Sequence, residues 1–99
     1  MEQFCKVLRI AMQNQAIFSV LDILVKMAEF MVEKGDKERA VEILTISLEY
    51  PLRDESRKRA EALYNDLAAE LCPRVLLDAK TLAKDITLDD LLEVILSEA

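Results

Sequence analysis

A chain of 99 residues with a net charge of −6 is long enough for one domain with a modest core. The acidic balance argues against binding to nucleic acid or to an anionic membrane surface, because both would need clustered Lys and Arg. One Gly and two Pro exclude a Gly-rich phosphate-binding loop and leave little material for tight β-hairpins.

The composition predicts an all-α fold. Leu, Ala, Glu, Lys and Arg favour helices and dominate the chain, and no stretch alternates strictly between apolar and polar residues. The hydrophobic content of 53% exceeds the usual range of roughly 45–50% for soluble domains. We therefore expect apolar surface that is covered by a partner protein, a second copy or a neighbouring part of a longer chain. A membrane-spanning helix would need a charge-free apolar run of roughly 18 to 20 residues. The sequence contains no such run, so we predict no membrane span.

The first two predicted helices cover residues 2–13 and 16–34. In the second helix the charged residues fall four, three and four positions apart, which is one narrow stripe, and nearly all other residues are apolar. We interpret it as the central helix, packed by neighbours on several sides and hydrated along one edge. The inner face of the first helix is predicted to comprise Phe4, Val7, Leu8 and Ala11, with Ile10 beside them.

The clearest turn of the sequence lies at Gly35 and Asp36, before a third helix over residues 37–49. Gly takes the left-handed conformation that ends a helix, and Asp caps the next helix. Because this turn is short, the second and third helices should pack as an antiparallel hairpin. Pro51 ends the third helix, since its ring removes a backbone donor.

Three further helices are predicted, over residues 53–71, 73–84 and 88–96. The first half of the fourth helix is nearly all charged, so we expect it to project into solvent. Pro73 is well placed at the start of the fifth helix. Thr87 and Asp90 resemble a capping box before the sixth.

The hairpin around Gly35 resembles one tetratricopeptide unit, a helical hairpin repeat of about 34 residues. The positions that carry the resemblance are Ala28, Gly35, Asp36, Ala40, Leu44 and Pro51. Small residues at two of these positions allow the paired helices to approach closely. The sequence departs from the pattern at Leu24 and Met31, where aromatic residues are usual, and at Ser47, where Ala is preferred.

This resemblance implies a fragment of a right-handed α–α superhelix over residues 1–72, followed by two short capping helices over residues 73–99. The first helix would be the second helix of a preceding unit, and the fourth helix would be the first helix of a following one.

The stretch from Gly35 onward is also similar to the C-terminal ends of tetratricopeptide arms in bacterial signalling ATPases of the STAND class, such as the MalT-like regulators. The residues that carry this similarity are Gly35, Asp36, Ala40, Pro51, Arg57, Ala60, Leu67, Leu71 and Pro73. In that family the arm senses or binds a partner, and the chemistry lies elsewhere. The similarity therefore implies a noncatalytic sensor or scaffold part of a larger bacterial signalling or transcription-regulating protein.

In tetratricopeptide folds the first helix of each unit lines the concave surface. At the matching positions of this chain the predicted partner-binding residues, for a protein or peptide, are Asp22, Val25, Lys26, Glu29, Val32 and Glu33. The alternative is a solvated stripe in which an Asp22–Lys26 pair contributes about 0.2–0.5 kcal/mol. At the level of the domain, the alternative is a structural cap or a homodimerisation unit without a separate ligand.

The remaining polar clusters favour ordinary surface roles. Arg57, Lys58 and Arg59 lie among acidic residues that cancel their field, so we interpret them as a solvated face. Asp89 and Asp90 form an acidic pair, but the chain has no His and no ligand spacing typical of a metal site. We therefore expect no catalytic residue, metal or cofactor.

The two cysteines, Cys5 and Cys72, are predicted to be reduced, partly buried thiols of a cytoplasmic protein rather than a disulfide. No neighbouring base in the sequence supports a nucleophilic role for either.

Overall fold

A computed structural model describes the backbone of residues 2–98 and the side chains of residues 3–97. Within that range the chain forms helices joined by short connections, and no strand is present. The helices are α1 (Glu2–Gln13), α2 (Ile17–Glu33), α3 (Lys37–Ser47), α4 (Asp54–Glu70), α5 (Pro73–Asp85) and α6 (Leu88–Glu98). The all-α prediction is confirmed, and each predicted helix end lies within two residues of the observed one.

The predicted turn between α2 and α3 forms as expected. Gly35 has a φ of +89°, and the N–H of Asp36 donates to the carbonyl of Met31 at 2.9 Å. The N–H of Gly35 donates to the carbonyl of Val32 at 3.1 Å, which completes a Schellman motif. The side chain of Asp36 then caps α3 by accepting from the N–H of Arg39 at 3.3 Å.

The connection between α1 and α2 has the same helix-ending motif without a glycine. Gln15 has a φ of +54°, and its N–H donates to the carbonyl of Met12 at 3.1 Å. The N–H of Ala16 donates to the carbonyl of Ala11 at 3.0 Å. Two successive helices therefore end in the same backbone geometry, although only the second has the residue type that favours it.

The helix with the most neighbours is α3, which packs against α2, α4, α5 and α6. The sequence predicted α2 as a central helix packed on several sides, and α2 has substantial contacts with α1, α3 and α4. Ala40, Val41, Ile43 and Leu44 have no exposed surface, and Ile46 is only 1% exposed. Buried side chains therefore occur on several sides of α3, which is the core of the molecule.

The charged first half of α4 lies beside α2, and Asp54, Glu55, Lys58 and Arg59 are still exposed to solvent. Arg53 contacts Asp22 near the start of α2, and Arg59 contacts Glu29 further along it. The residue numbers increase in the same direction along both helices from the first pair to the second, so α4 runs parallel to α2. The next helix, α5, packs against α3 and makes little contact with α4, so these two do not form a second hairpin like that of α2 and α3.

The last helix is attached at its N-terminus. Thr87 and Asp90 form the predicted capping box, in which each backbone N–H donates to the other residue's side chain, at 3.1 and 3.2 Å. The N–H of Leu88 also donates to the hydroxyl of Tyr50 at 2.9 Å. This bond connects the start of α6 to the segment that follows α3.

The inner face of α1 differs from the prediction. Val7 is 51% exposed and Ile10 is 58% exposed, whereas Cys5 is buried and Met12 is half-buried. The face that packs on the rest of the molecule is thus rotated toward Cys5 and Met12, while Leu8 lies at its centre as expected. The prediction was wrong for Val7 and Ile10 because apolar character alone does not say which flank of a helix meets its neighbour.

Candidate functional site

The six predicted partner-binding residues do not share one environment. Lys26 and Glu33 are exposed, and Asp22, Glu29 and Val32 are half-buried. Val25 is fully buried. Only part of the predicted surface is therefore directly open to a partner.

The edge of α2 that remains open lies between α1 and α4. On one side, the ring of Phe30 contacts that of Phe4 in α1, with centroids 5.6 Å apart. On the other side, Glu29 contacts Arg59 of α4. Successive residues of an α-helix are rotated by about 100° around its axis, which places Lys26 and Glu33 between the directions of Glu29 and Phe30. We call Asp22, Lys26, Glu29 and Glu33 the open edge of α2.

The carboxylate of Asp22 is held by two side chains of the α4 region. The Nη1 of Arg53 lies 3.0 Å from its Oδ2, and the hydroxyl of Ser56 donates to its Oδ1. The guanidinium of Arg53 also lies 5.8 Å from the ring centroid of Phe18. Because the side chain of Asp22 is only 20% exposed, this contact is the better-shielded part of the site.

A second ion pair lies about two turns further along α2, between the Nη2 of Arg59 and the Oε1 of Glu29. Both side chains are more than a third exposed, so the pair contributes at most about 1 kcal/mol. Arg53, Ser56 and Arg59 recur every three residues, which places them on one face of α4. The sequence analysis missed this contact; the spacing of the three residues, set against Asp22 and Glu29 seven residues apart, is the signal that could have indicated it.

Lys26 has no ion pair with any side chain that the structure describes. Its two acidic neighbours on the same face, Asp22 and Glu29, are both taken by arginines of the α4 region. The Asp22–Lys26 pair of the solvated-stripe alternative is therefore not formed. The result is an exposed ammonium group between two neutralised carboxylates.

The residues of the repeat motif occupy structural positions. Ala28, Ala40 and Leu44 are fully buried, and the two small residues allow α2 and α3 to pack closely. Gly35 and Asp36 form the turn described above, and Pro51 is exposed after the end of α3.

The other polar candidates are dispersed. Arg57 donates to the backbone carbonyl of Tyr50 at 2.9 Å and lies 3.8 Å from Glu61, and Lys58 is exposed. Asp90 belongs to the capping box of α6. Among the side chains of residues 3–97, no three of His, Cys, Asp or Glu converge as a metal site requires.

Both cysteines are free thiols. Cys5 is buried, as part of the face of α1 that packs on the core, whereas Cys72 is exposed between α4 and α5. The expectation that both thiols are partly buried is therefore wrong for Cys72.

An apolar cleft lies where the end of α1 and the start of α2 meet the first turns of α6. Its volume is about 270 Å³, and its lining residues are Met12, Gln15, Ile17, Val20, Leu88, Asp89 and Leu92. The cleft brings the end of α1 near the start of α6.

Comparison with protein-family models, with curated proteins and with solved structures found no significant match. The fold and the site define the class as an all-α helical domain with a polar edge between two of its helices. None of the described helices combines the length and the apolar character needed to cross a membrane.

Proposed function

We propose that this chain is a noncatalytic protein-interaction module that binds a protein or peptide along the open edge of α2. The observation that carries the proposal is the exposed, unpaired ammonium of Lys26 between two carboxylates whose charges are already neutralised. Such a group can bind an acidic side chain or a terminal carboxylate without first breaking an intramolecular pair. Two other residues of the edge, Asp22 and Glu29, are held by contacts with Arg53 and Arg59.

The arrangement of α2, α3 and α4 supports the proposed relation to tetratricopeptide repeats. In this proposal α2 and α3 form one unit, and α4 is the first helix of a following unit. Its parallel course beside α2 suits that role. The module would then be the sensor or scaffold part of a larger bacterial signalling or transcription-regulating protein. The separation of α5 from α4 suits a capping role for the last two helices.

The test is a peptide-display selection on the purified chain, followed by affinity measurements by fluorescence anisotropy. We expect selected peptides to carry an acidic residue or a free carboxylate. Lys26→Glu should weaken their binding about tenfold, because a desolvated charge contact is replaced by repulsion. Lys58→Glu is the matched control: it makes the same change of charge on an exposed residue of α4 away from α2.

Two results would contradict the proposal. One is a selection that enriches no peptide above the background of the bare support. The other is equal binding by the Lys26→Glu and Lys58→Glu proteins, since a change of net charge alone would then explain any loss. Circular dichroism of both proteins verifies that neither substitution unfolds the chain.

A further inference from the structure

The helix α4 buries little of its own surface. Of its 17 residues only Ala60 and Leu67 are buried, and Leu63 and Tyr64 pack half-buried against the core. By comparison, eight residues of α2 and six of α3 are buried. Because so few of its apolar side chains are buried, the hydrophobic effect contributes less to the attachment of α4 than to that of the two helices it packs against.

Charged contacts connect α4 to its neighbours near both of its ends. Arg53, at its N-cap, and Arg59 bind the two carboxylates of α2 described above. At the other end Glu70 pairs with Lys37 at the start of α3. In each of these three pairs at least one side chain is more than a third exposed. Water and dissolved salt therefore compete with every one of them.

The first half of α4 covers one side of α2. Val25 lies three positions after Asp22 and four before Glu29, so it lies on the side of α2 where both carboxylates meet α4. Phe18, two turns before Val25 on the same side, contacts the guanidinium of Arg53. Val25 has no exposed surface. We conclude that α4 covers Val25, and that a movement of α4 away from α2 would expose it.

The backbone is extended at both ends of α4. The ψ angle is 150° at Arg53, 153° at Leu71 and 138° at Cys72. The segment before α4 is anchored by the buried side chain of Leu52. The segment after it leads into α5, which packs against α3 and makes little contact with α4. Changes of backbone angle at these few residues can therefore move α4 while α3 and α5 stay packed.

We infer that α4 is a strap held largely by charge, which opens from α2 while the other helices stay folded. Its opening uncovers Asp22, Val25 and Glu29, which are three of the six residues that the repeat pattern places on a partner-binding surface. The closed strap masks these residues, and salt concentration controls how often they are exposed. The inference uses no property of Lys26, so it stands or fails independently of the proposed function.

The test is labelling of the Val25→Cys thiol with N-ethylmaleimide, in a chain that also carries Cys72→Ser to remove the exposed native thiol. A buried thiol reacts only when the structure opens, so its rate reports the population of the open form. Val20→Cys is the matched control: it is the same change on the same helix, at a residue that is 3% exposed and borders the cleft with α6. We expect the Val25→Cys thiol to react about tenfold faster.

The role of charge is tested in the same two chains. Arg59→Glu places like charges opposite each other and should raise the labelling rate of the Val25→Cys thiol about fivefold, with no effect on the Val20→Cys thiol. Glu29→Arg/Arg59→Glu restores opposite charges and should return the rate to within about twofold of its starting value. Lys58→Glu makes a similar change of charge on a neighbouring exposed residue and should not alter the rate. Added NaCl should speed the labelling of the Val25→Cys thiol alone.

Hydrogen exchange of the parent chain gives a second measurement without any substitution. The amides of Leu63 and Leu67 in α4 should open at a lower free energy than that of Leu24 in α2, and only their opening should become easier as NaCl is added. The melting temperature of each variant verifies that the fold is kept.

Two results would overturn the inference. Equal labelling of the Val25→Cys and Val20→Cys thiols, with equal free energies of opening in α4 and α2, would mean that α4 separates only when the whole chain unfolds. A Val25→Cys rate that responds neither to Arg59→Glu nor to NaCl would mean that apolar contacts hold α4 in place.

Discussion

The hydroxyl of Ser47 is fully buried in α3 and has no hydrogen-bond partner among the described residues. Other hydroxyls on the helices bond back to the preceding turn: Thr45 donates to the carbonyl of Val41 at 2.7 Å, and Thr81 to that of Leu77 at 3.0 Å. A buried polar group without a partner costs about 1–3 kcal/mol. Ser47 therefore weakens the core at the position where the repeat pattern prefers Ala.

We predict that Ser47→Ala raises the free energy of unfolding by about 1 kcal/mol, because it removes an unsatisfied hydroxyl and leaves a good helix former. Urea denaturation of the parent and the variant measures the change. Thr45→Ala is the control: it removes a hydroxyl that has a partner and should not stabilise the chain. A Ser47→Ala protein that is less stable than the parent would mean that the hydroxyl is hydrogen-bonded in solution.

At the scale of the helices, the ends of α1 and α2 share one backbone geometry with different residues at the left-handed position. Gly35 occupies it after α2 and Gln15 after α1. The left-handed conformation costs a residue with a Cβ roughly 1–2 kcal/mol, whereas Gly adopts it freely. The first connection is therefore strained in a way that the second is not.

We predict opposite effects of two substitutions at these positions. Gly35→Ala should lower the free energy of unfolding by about 1 kcal/mol through backbone strain alone, because no atom lies within 4 Å of an added Cβ. Gln15→Gly should raise it by about 0.5 kcal/mol, since relief of strain exceeds the added entropy of the unfolded chain. Thermal unfolding of both variants measures the changes. Equal signs for the two would contradict the shared motif.

The helices themselves could be predicted because the signals that define them are local. The caps at Asp36 and Asp90 and the turn at Gly35 depend on residues within three or four positions, and all of them form as predicted. The orientation of α1 could not be predicted in this way. Whether Val7 or Cys5 faces inward depends on where α2 lies, and the composition of α1 leaves both choices open.

The same limit applies to the candidate site. The sequence predicted the stripe of α2, because its spacing is a property of one helix. It did not predict that Arg53, Ser56 and Arg59 would hold Asp22 and Glu29, since those partners lie about 30 residues away. The charges of α4 predicted its exposure to solvent, but they do not show which opposite charges on another helix lie within reach.

For the molecule as a whole, the central position of α3 predicts the pattern of amide hydrogen exchange. The amides of Ile43 and Leu44 in α3 should exchange only through global unfolding, because four helices must separate to expose them. Leu8 in α1 and Leu92 in α6 have equally buried side chains but lie on helices at the periphery. Their amides should exchange at a lower free energy of opening.

The measurement is native-state hydrogen exchange in increasing denaturant. Leu8 and Leu92 serve as the matched comparison, because the burial of the side chain is the same and only the number of packed neighbours differs. Equal free energies of opening at all four positions would mean that α1 and α6 unfold only together with α3.

The position of α3 in the chain also bears on whether the protein can be divided. Repeat proteins are often shortened or extended by whole units, because each unit contacts only the next one. In this molecule α3 contacts α2 from the N-terminal half and α4, α5 and α6 from the C-terminal half. A cut at Pro73, where the sequence suggests a boundary between repeat and cap, would uncover the side of α3 that α5 covers. The segment that the repeat pattern suggests as a separable unit is therefore smaller than the segment that must fold together.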